Sequence, residues 1–104
     1  MMNKLMMSAA SAALLVLSGA ASANQALAQK NACMSCHGVD KKIVGPAFKE
    51  VAQKYATDSE AQARLAAKVK TGGKGVWGKI PMPPNPNLKP EDAQTIVAWV
   101  LSLK

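Results

Sequence analysis

Five consecutive positions, Cys33-Met34-Ser35-Cys36-His37, hold both cysteines and the one histidine of this 104-residue chain. Two thiols at i and i+3 project from one face of a helix, so both can meet one edge of a flat group. The imidazole that follows immediately then falls beneath the centre of that group. Cys-x-x-Cys-His is the attachment pattern of a c-type haem, in which each thiol adds to a vinyl group and the histidine ligates the iron.

Two other chemistries use a Cys-x-x-Cys pair. A dithiol redox site of the thioredoxin kind needs a βαβ context, and no run of alternating β-branched residues flanks positions 33–37. A zinc site takes four protein ligands, or three with a water, and no further Cys or His exists to complete the set. Haem attachment is the expectation.

The first 23 residues read as a secretory leader. Lys4 supplies the positive start and Leu5 to Leu17 the apolar stretch, with its core at Leu14-Leu15-Val16-Leu17. Ala21-Ser22-Ala23 supplies the small-x-small cleavage signal. The apolar run is short for a membrane span; an uncleaved anchor is the alternative. Domains are therefore expected at 1–23, a signal peptide, and 24–104, the mature unit. Export to the periplasm suits the cysteines, since an exported Cys pair outside haem would tend to a disulfide.

A mature chain of this size forms one domain with a small core. Aromatic residues are only 4% of the sequence, too few to fill that core, so the fold needs a further staple, which a haem would supply. The formal charge is +7. A basic surface suits nucleic acid, an anionic membrane or an acidic protein. Export, the lack of any nucleic-acid motif and a single arginine, Arg64, argue against nucleic acid.

Taken in order, Asn24 to Cys36 reads as a first helix with Asn24 as N-cap and Gly38 at its C-terminal end. Gly45-Pro46 starts a second with Pro46 at N1, its inner stripe being Phe48, Val51 and Tyr55. Thr57-Asp58-Ser59-Glu60 reads as a capping box for a third, which carries Ala61, Leu65 and Val69 on one face and stops at Thr71-Gly72-Gly73. Positions 74–89, with Pro81-Met82-Pro83-Pro84-Asn85-Pro86, form a stiff extended loop, because proline fixes φ and removes donors. A last helix from Pro90 to Leu103 has Glu91 and Asp92 in its first turn and an apolar stripe of Ala93, Ile96, Val97, Val100 and Leu101. Trp99 falls to one side of that stripe, and Lys89 is a poor N-cap.

What closes the sixth position of the iron decides the chemistry. Met1, Met2, Met6 and Met7 leave with the leader, and Met34 lies between the attached cysteines, on the wrong side to reach the far face. Met82 remains. A lone loop methionine is otherwise a gap filler, but here it sits among prolines with no rival sulfur or imidazole. His37 and Met82 are the expected axial pair, and thioether ligation raises the reduction potential.

Cys33-Met34-Ser35-Cys36-His37, Val44-Gly45-Pro46-Ala47, Gly75-Val76-Trp77-Gly78 and Ile80-Pro81-Met82-Pro83-Pro84-Asn85 together resemble the small class I bacterial c-type cytochromes, over essentially the whole mature chain. The resemblance implies an all-α fold of four to five short helices wrapped around one covalently attached haem c. It implies thioether anchors at Cys33 and Cys36 and axial ligands His37 and Met82. It further implies that the Pro46 carbonyl accepts the His37 ring N–H, that Trp77 donates to a haem propionate, and that Asn85 hydrogen-bonds near the Met82 sulfur. The link Pro86-Asn87-Leu88-Lys89-Pro90 departs from the family, which more often has a shorter link with a Ser or Asp cap.

The function expected is a soluble periplasmic one-electron carrier, not an enzyme. It would be a monomer passing electrons from a membrane oxidoreductase to a terminal reductase or oxidase. Lys30, Lys41, Lys42, Lys70, Lys74 and Lys79 would form a basic rim that steers acidic redox partners. The alternative is a small c-haem enzyme or gas-binding protein, peroxidase-like, with an open sixth position. No second histidine exists to act as its distal acid–base group.

Overall fold

A computed structural model describes residues 23–104. All but the last residue of the expected leader lies outside the described residues. The regular elements are helical. Residues 23–30 form α1, a 3-10 turn spans Cys33–Ser35, and α2 (Phe48–Lys54), α3 (Ala61–Thr71) and α4 (Pro90–Leu101) follow. Isolated antiparallel bridges join His37 to Lys42 and Gly73 to Met82.

The first helix is shorter than its helix-forming composition predicts. Asn24 lies inside α1, and the helix stops at residue 30 rather than running through the cysteines. Asn31 closes the helix with two bonds to one acceptor, its backbone N–H at 3.2 Å and its Nδ2 at 2.9 Å, both donating to Leu27 O. Ala32 then adopts a left-handed conformation, φ 63°, a cost of roughly 1 kcal/mol for a residue with a Cβ. That reversal turns the cysteine segment out of the helix axis. Gly38 therefore caps no helix; its N–H donates to Lys41 O at 3.1 Å within the next loop.

The second helix begins at Phe48, two residues later than proline at N1 would place it. Ala47 is extended (φ −61°, ψ 143°) and holds the N-cap position, which leaves the Pro46 carbonyl free to face His37. The capping box before α3 does not form either. Glu60 occupies the N-cap position with no side-chain cap. Instead Asp58 Oδ1 accepts the Glu60 N–H at 2.9 Å, and its other oxygen pairs with Arg64. The guanidinium beside it holds the Asp58 carboxyl below its ordinary range.

At the end of α3, Gly72 takes φ 79° and its N–H donates to Lys68 O at 2.7 Å. A Cβ there would lie 2.7 Å from Met82 O and 2.9 Å from Pro84 N. Glycine is thus needed twice, for the turn and for the approach of the proline-rich loop.

Helix α4 packs on both α3 and α2. It starts at Pro90 as expected, although Lys89 caps it with no side chain. Glu91 and Asp92 in the first turn offset the helix dipole instead. Trp99, to one side of that stripe, is nonetheless buried and meets Phe48 edge to face, centroids 5.6 Å apart. An indole this long reaches the core from the flank of the stripe.

Alanines 28, 47, 52, 61, 66 and 93 supply half of the buried apolar residues, and among the described residues no large side chain is fully buried. Phe48 and Trp99 therefore carry an outsized share of the packing. Phe48→Ala should lower the stability of the haem-loaded protein by about 3–5 kcal/mol, read as an earlier midpoint in chemical denaturation. A shift below about 1 kcal/mol would show that this aromatic pair is not the centre of the core.

Candidate functional site

The two thiols sit on the 3-10 turn rather than on a helix. Side chains at i and i+3 eclipse in that geometry, so Cys33 and Cys36 still present to one side. The Cys33 carbonyl accepts the N–H groups of Cys36 (3.3 Å) and His37 (3.0 Å), closing the segment into a tight knuckle. Both cysteines are free thiols and half-buried. Burial pushes the Cys33 thiol above its ordinary value, which disfavours the thiolate that dithiol exchange requires. Among the described residues no group of three or more His, Cys, Asp and Glu side chains converges as a metal cluster.

His37 Nδ1 lies 2.7 Å from the Pro46 carbonyl. A carbonyl only accepts, so Nδ1 carries the proton and Nε2 is the nitrogen left to coordinate. The acceptor is held in place from both ends. Gly45 N–H donates to Cys36 O at 2.8 Å, and Phe48 N–H donates to Gly38 O at 2.9 Å. The Phe48 ring lies almost parallel to the imidazole, 4.9 Å away at 18°.

Met82 comes from the proline-rich loop and pairs with Gly73 in both directions. Its N–H donates to Gly73 O at 2.7 Å, and Gly73 N–H donates to Met82 O at 3.1 Å. Asn85 extends the attachment to α3: its backbone N–H reaches Lys70 O at 3.0 Å, and its side-chain Nδ2 reaches Val69 O at 3.0 Å and Pro83 O at 3.4 Å. The side chain expected near the Met82 sulfur is bonded to backbone carbonyls on either side of the loop's junction with α3. It staples the loop to the end of α3.

Cys33, Cys36, His37 and Met82 all line one cavity of about 330 Å³. Its walls are mainly apolar, with Val44 and Pro46 on the histidine side, Leu65 and Val69 from α3, and Ile96, Val97 and Val100 from α4. Trp77 and Ile80 stand at the edge. The volume is in the range of cofactor pockets, and the donor set combines two thiols, an imidazole and a thioether. These residues fit a covalently attached haem. Met34 packs against the core instead.

Some surroundings of the cavity escape sequence reading. Lys42, Lys74 and Lys79 of the expected rim line it, whereas Lys30, Lys41 and Lys70 do not; Lys68, not anticipated, does. Lys54 holds its ammonium 5.5 Å from the Trp77 ring and 5.9 Å from that of Tyr55. Ile43, Val44, Val76, Trp77 and Ile80 form an exposed apolar set. Their one sequence signal is the lack of any periodicity that would bury them.

The sequence pattern of the family described as Cytochrome c matches residues 21–104. Cytochrome c-552 of Nitrosomonas europaea is 50% identical over 93 residues, covering 89% of this chain and 90% of that protein. Cytochrome c-551 of Allochromatium vinosum is 52% identical over 81 residues, 78% and 86% of the two chains. The crystal structure of the wild-type Nitrosomonas europaea cytochrome c552 superposes with a TM-score of 0.75 at 51% identity, covering 77% of this chain and 99% of that one. The Class 1 cytochrome MtoD of Sideroxydans lithotrophicus matches at a TM-score of 0.65 and 38% identity, over 79% and 94%. With the all-α fold and the attachment motif, these matches place the chain in the cytochrome c family, as a small class I monohaem electron carrier with covalent haem c.

Proposed function

We propose that this carrier works in the periplasm as a monomer, moving single electrons between a membrane oxidoreductase and a terminal reductase or oxidase, without turning over a substrate of its own. The observation that carries the reading is the convergence of Cys33, Cys36, His37 and Met82 on one mainly apolar cavity. Among the described residues no helix is long and apolar enough to cross a membrane.

Haem c, when bound, supplies an iron that changes by one electron. Cys33 and Cys36 would tether it through thioethers, and His37 and Met82 would supply the protein ligands to the iron. Through Nδ1–H, Pro46 fixes the histidine tautomer and increases its basicity. Met82 is held by its backbone to Gly73 and flanked by prolines, so the ligand shifts little as the charge changes. The apolar walls exclude water, and a thioether among apolar side chains favours the reduced iron. Trp77, at the cavity edge, would donate its ring N–H to a haem propionate.

Recognition of partners follows from charge. Lys42, Lys74 and Lys79 surround the cavity, and lysines so placed steer an acidic protein toward the exposed edge while leaving the complex short-lived. The second-order rate of electron exchange with an acidic partner should fall roughly tenfold or more between about 0.01 M and 0.1 M salt, as the screening length shrinks from about 30 to about 10 Å. A rate unchanged by salt would remove the docking role from these lysines.

A further inference from the structure

Gly45 stands against the imidazole of His37 more closely than any side chain permits. A Cβ added there would lie 2.5 Å from His37 Cε1, 3.0 Å from Nδ1 and 3.1 Å from Nε2. These three atoms belong to one ring, and with Cε1 nearest and the two nitrogens almost equally distant, that Cβ would stand over the face of the ring at Cε1. The backbone of Gly45 is not in the left-handed region, so an alanine would bring no conformational strain of its own. What it would bring is a collision with the ring.

The ring has little room to yield. The Phe48 ring lies almost parallel to it at 4.9 Å, and Nδ1 is tied to Pro46 O at 2.7 Å. Nor can the glycine retreat: its N–H and that of Val44 both donate to Cys36 O, at 2.8 and 3.1 Å. We infer that Gly45 is a positioning residue for His37: its bare α-carbon sets the rotation of the imidazole about its bond to the iron and keeps Nδ1 aligned on the Pro46 carbonyl. The inference rests on the reading of His37 as an axial ligand. It adds that the Gly45-Pro46 pair orients the ring by two separate means, a hydrogen-bond acceptor and a wall.

The test is Gly45→Ala in the haem-loaded protein. In the oxidised form, the order and spread of the haem methyl resonances in the proton NMR spectrum report the orientation of the imidazole plane. Gly45→Ala should reorder them and speed solvent exchange of the His37 Nδ1 proton at least tenfold. Ala66→Gly, a change of the same size in the buried face of α3, should alter stability and leave the methyl pattern as in the parent. A parent-like pattern and exchange rate in Gly45→Ala overturn the inference. Should that variant fail to load haem, the parent decides: a nuclear Overhauser contact between a Gly45 α-proton and His37 Hε1 is expected, and its absence overturns the inference. A parent spectrum with no haem-shifted imidazole resonance would instead sink the reading of His37, which keeps the two failures apart.

Discussion

Met82→Ala should convert a closed iron into an open one. The parent, once reduced, should bind carbon monoxide slowly or not at all, and the variant should bind it rapidly and stoichiometrically. The reduction potential should fall by on the order of a few tenths of a volt, within the roughly 0.8 V that axial ligation commands. The loop should survive the change, because Met82 is held to Gly73 by its own backbone N–H and C=O, and Asn85 fastens the following turn to α3. The substitution therefore removes the thioether without removing its scaffold. Equal carbon monoxide binding by parent and variant would mean that Met82 never closed the site, and would favour the gas-binding or peroxidase-like alternative.

The second large effect concerns folding. The joint replacement Cys33→Ala and Cys36→Ala, which abolishes covalent attachment, should leave a chain that loses most of its helical circular dichroism and melts without a cooperative transition. The reason is the composition of the interior. Alanine supplies half of the buried apolar residues, and Phe48 and the α4 aliphatics Ile96, Val97 and Val100 line a cavity of about 330 Å³. An interior so poor in large side chains, wrapped around a cleft of that size, is too small to hold a domain together without a central group. A variant that stays compact and unfolds cooperatively would show that the helices need no central group.

Much of this architecture was legible because the residues that carry chemistry are scarce. One histidine and one adjacent cysteine pair admit few readings, and once the leader is set aside Met82 has a single competitor, Met34. The heptad-like stripe of α4 and the Gly72 stop of α3 were equally plain. What stayed hidden depends on tertiary contacts. Ala32 has no sequence signal for a left-handed turn; it is held there by Asn31 folding back on Leu27. Pro46 looked like a helix start, but its carbonyl is committed to His37, which displaces the helix by two residues. Thr57 to Glu60 matched a capping box, yet Asp58 satisfied the turn first and recruited Arg64. Trp99 flanks the stripe yet is buried, because a stripe drawn on Cβ positions does not show how far an indole reaches. Lys54 over Trp77, and Lys68 at the cavity, are contacts between elements that no local window contains.

The central claim is that His37 and Met82 face each other across one macrocycle. The proton NMR spectrum of the reduced protein tests it most directly. A methyl held over the centre of an aromatic macrocycle is displaced far upfield, well outside the range of any other methyl in the chain. The Met82 Cε protons should appear there as a three-proton resonance that vanishes in Met82→Ala. Finding that resonance at its ordinary methionine position in the haem-loaded parent would contradict the account.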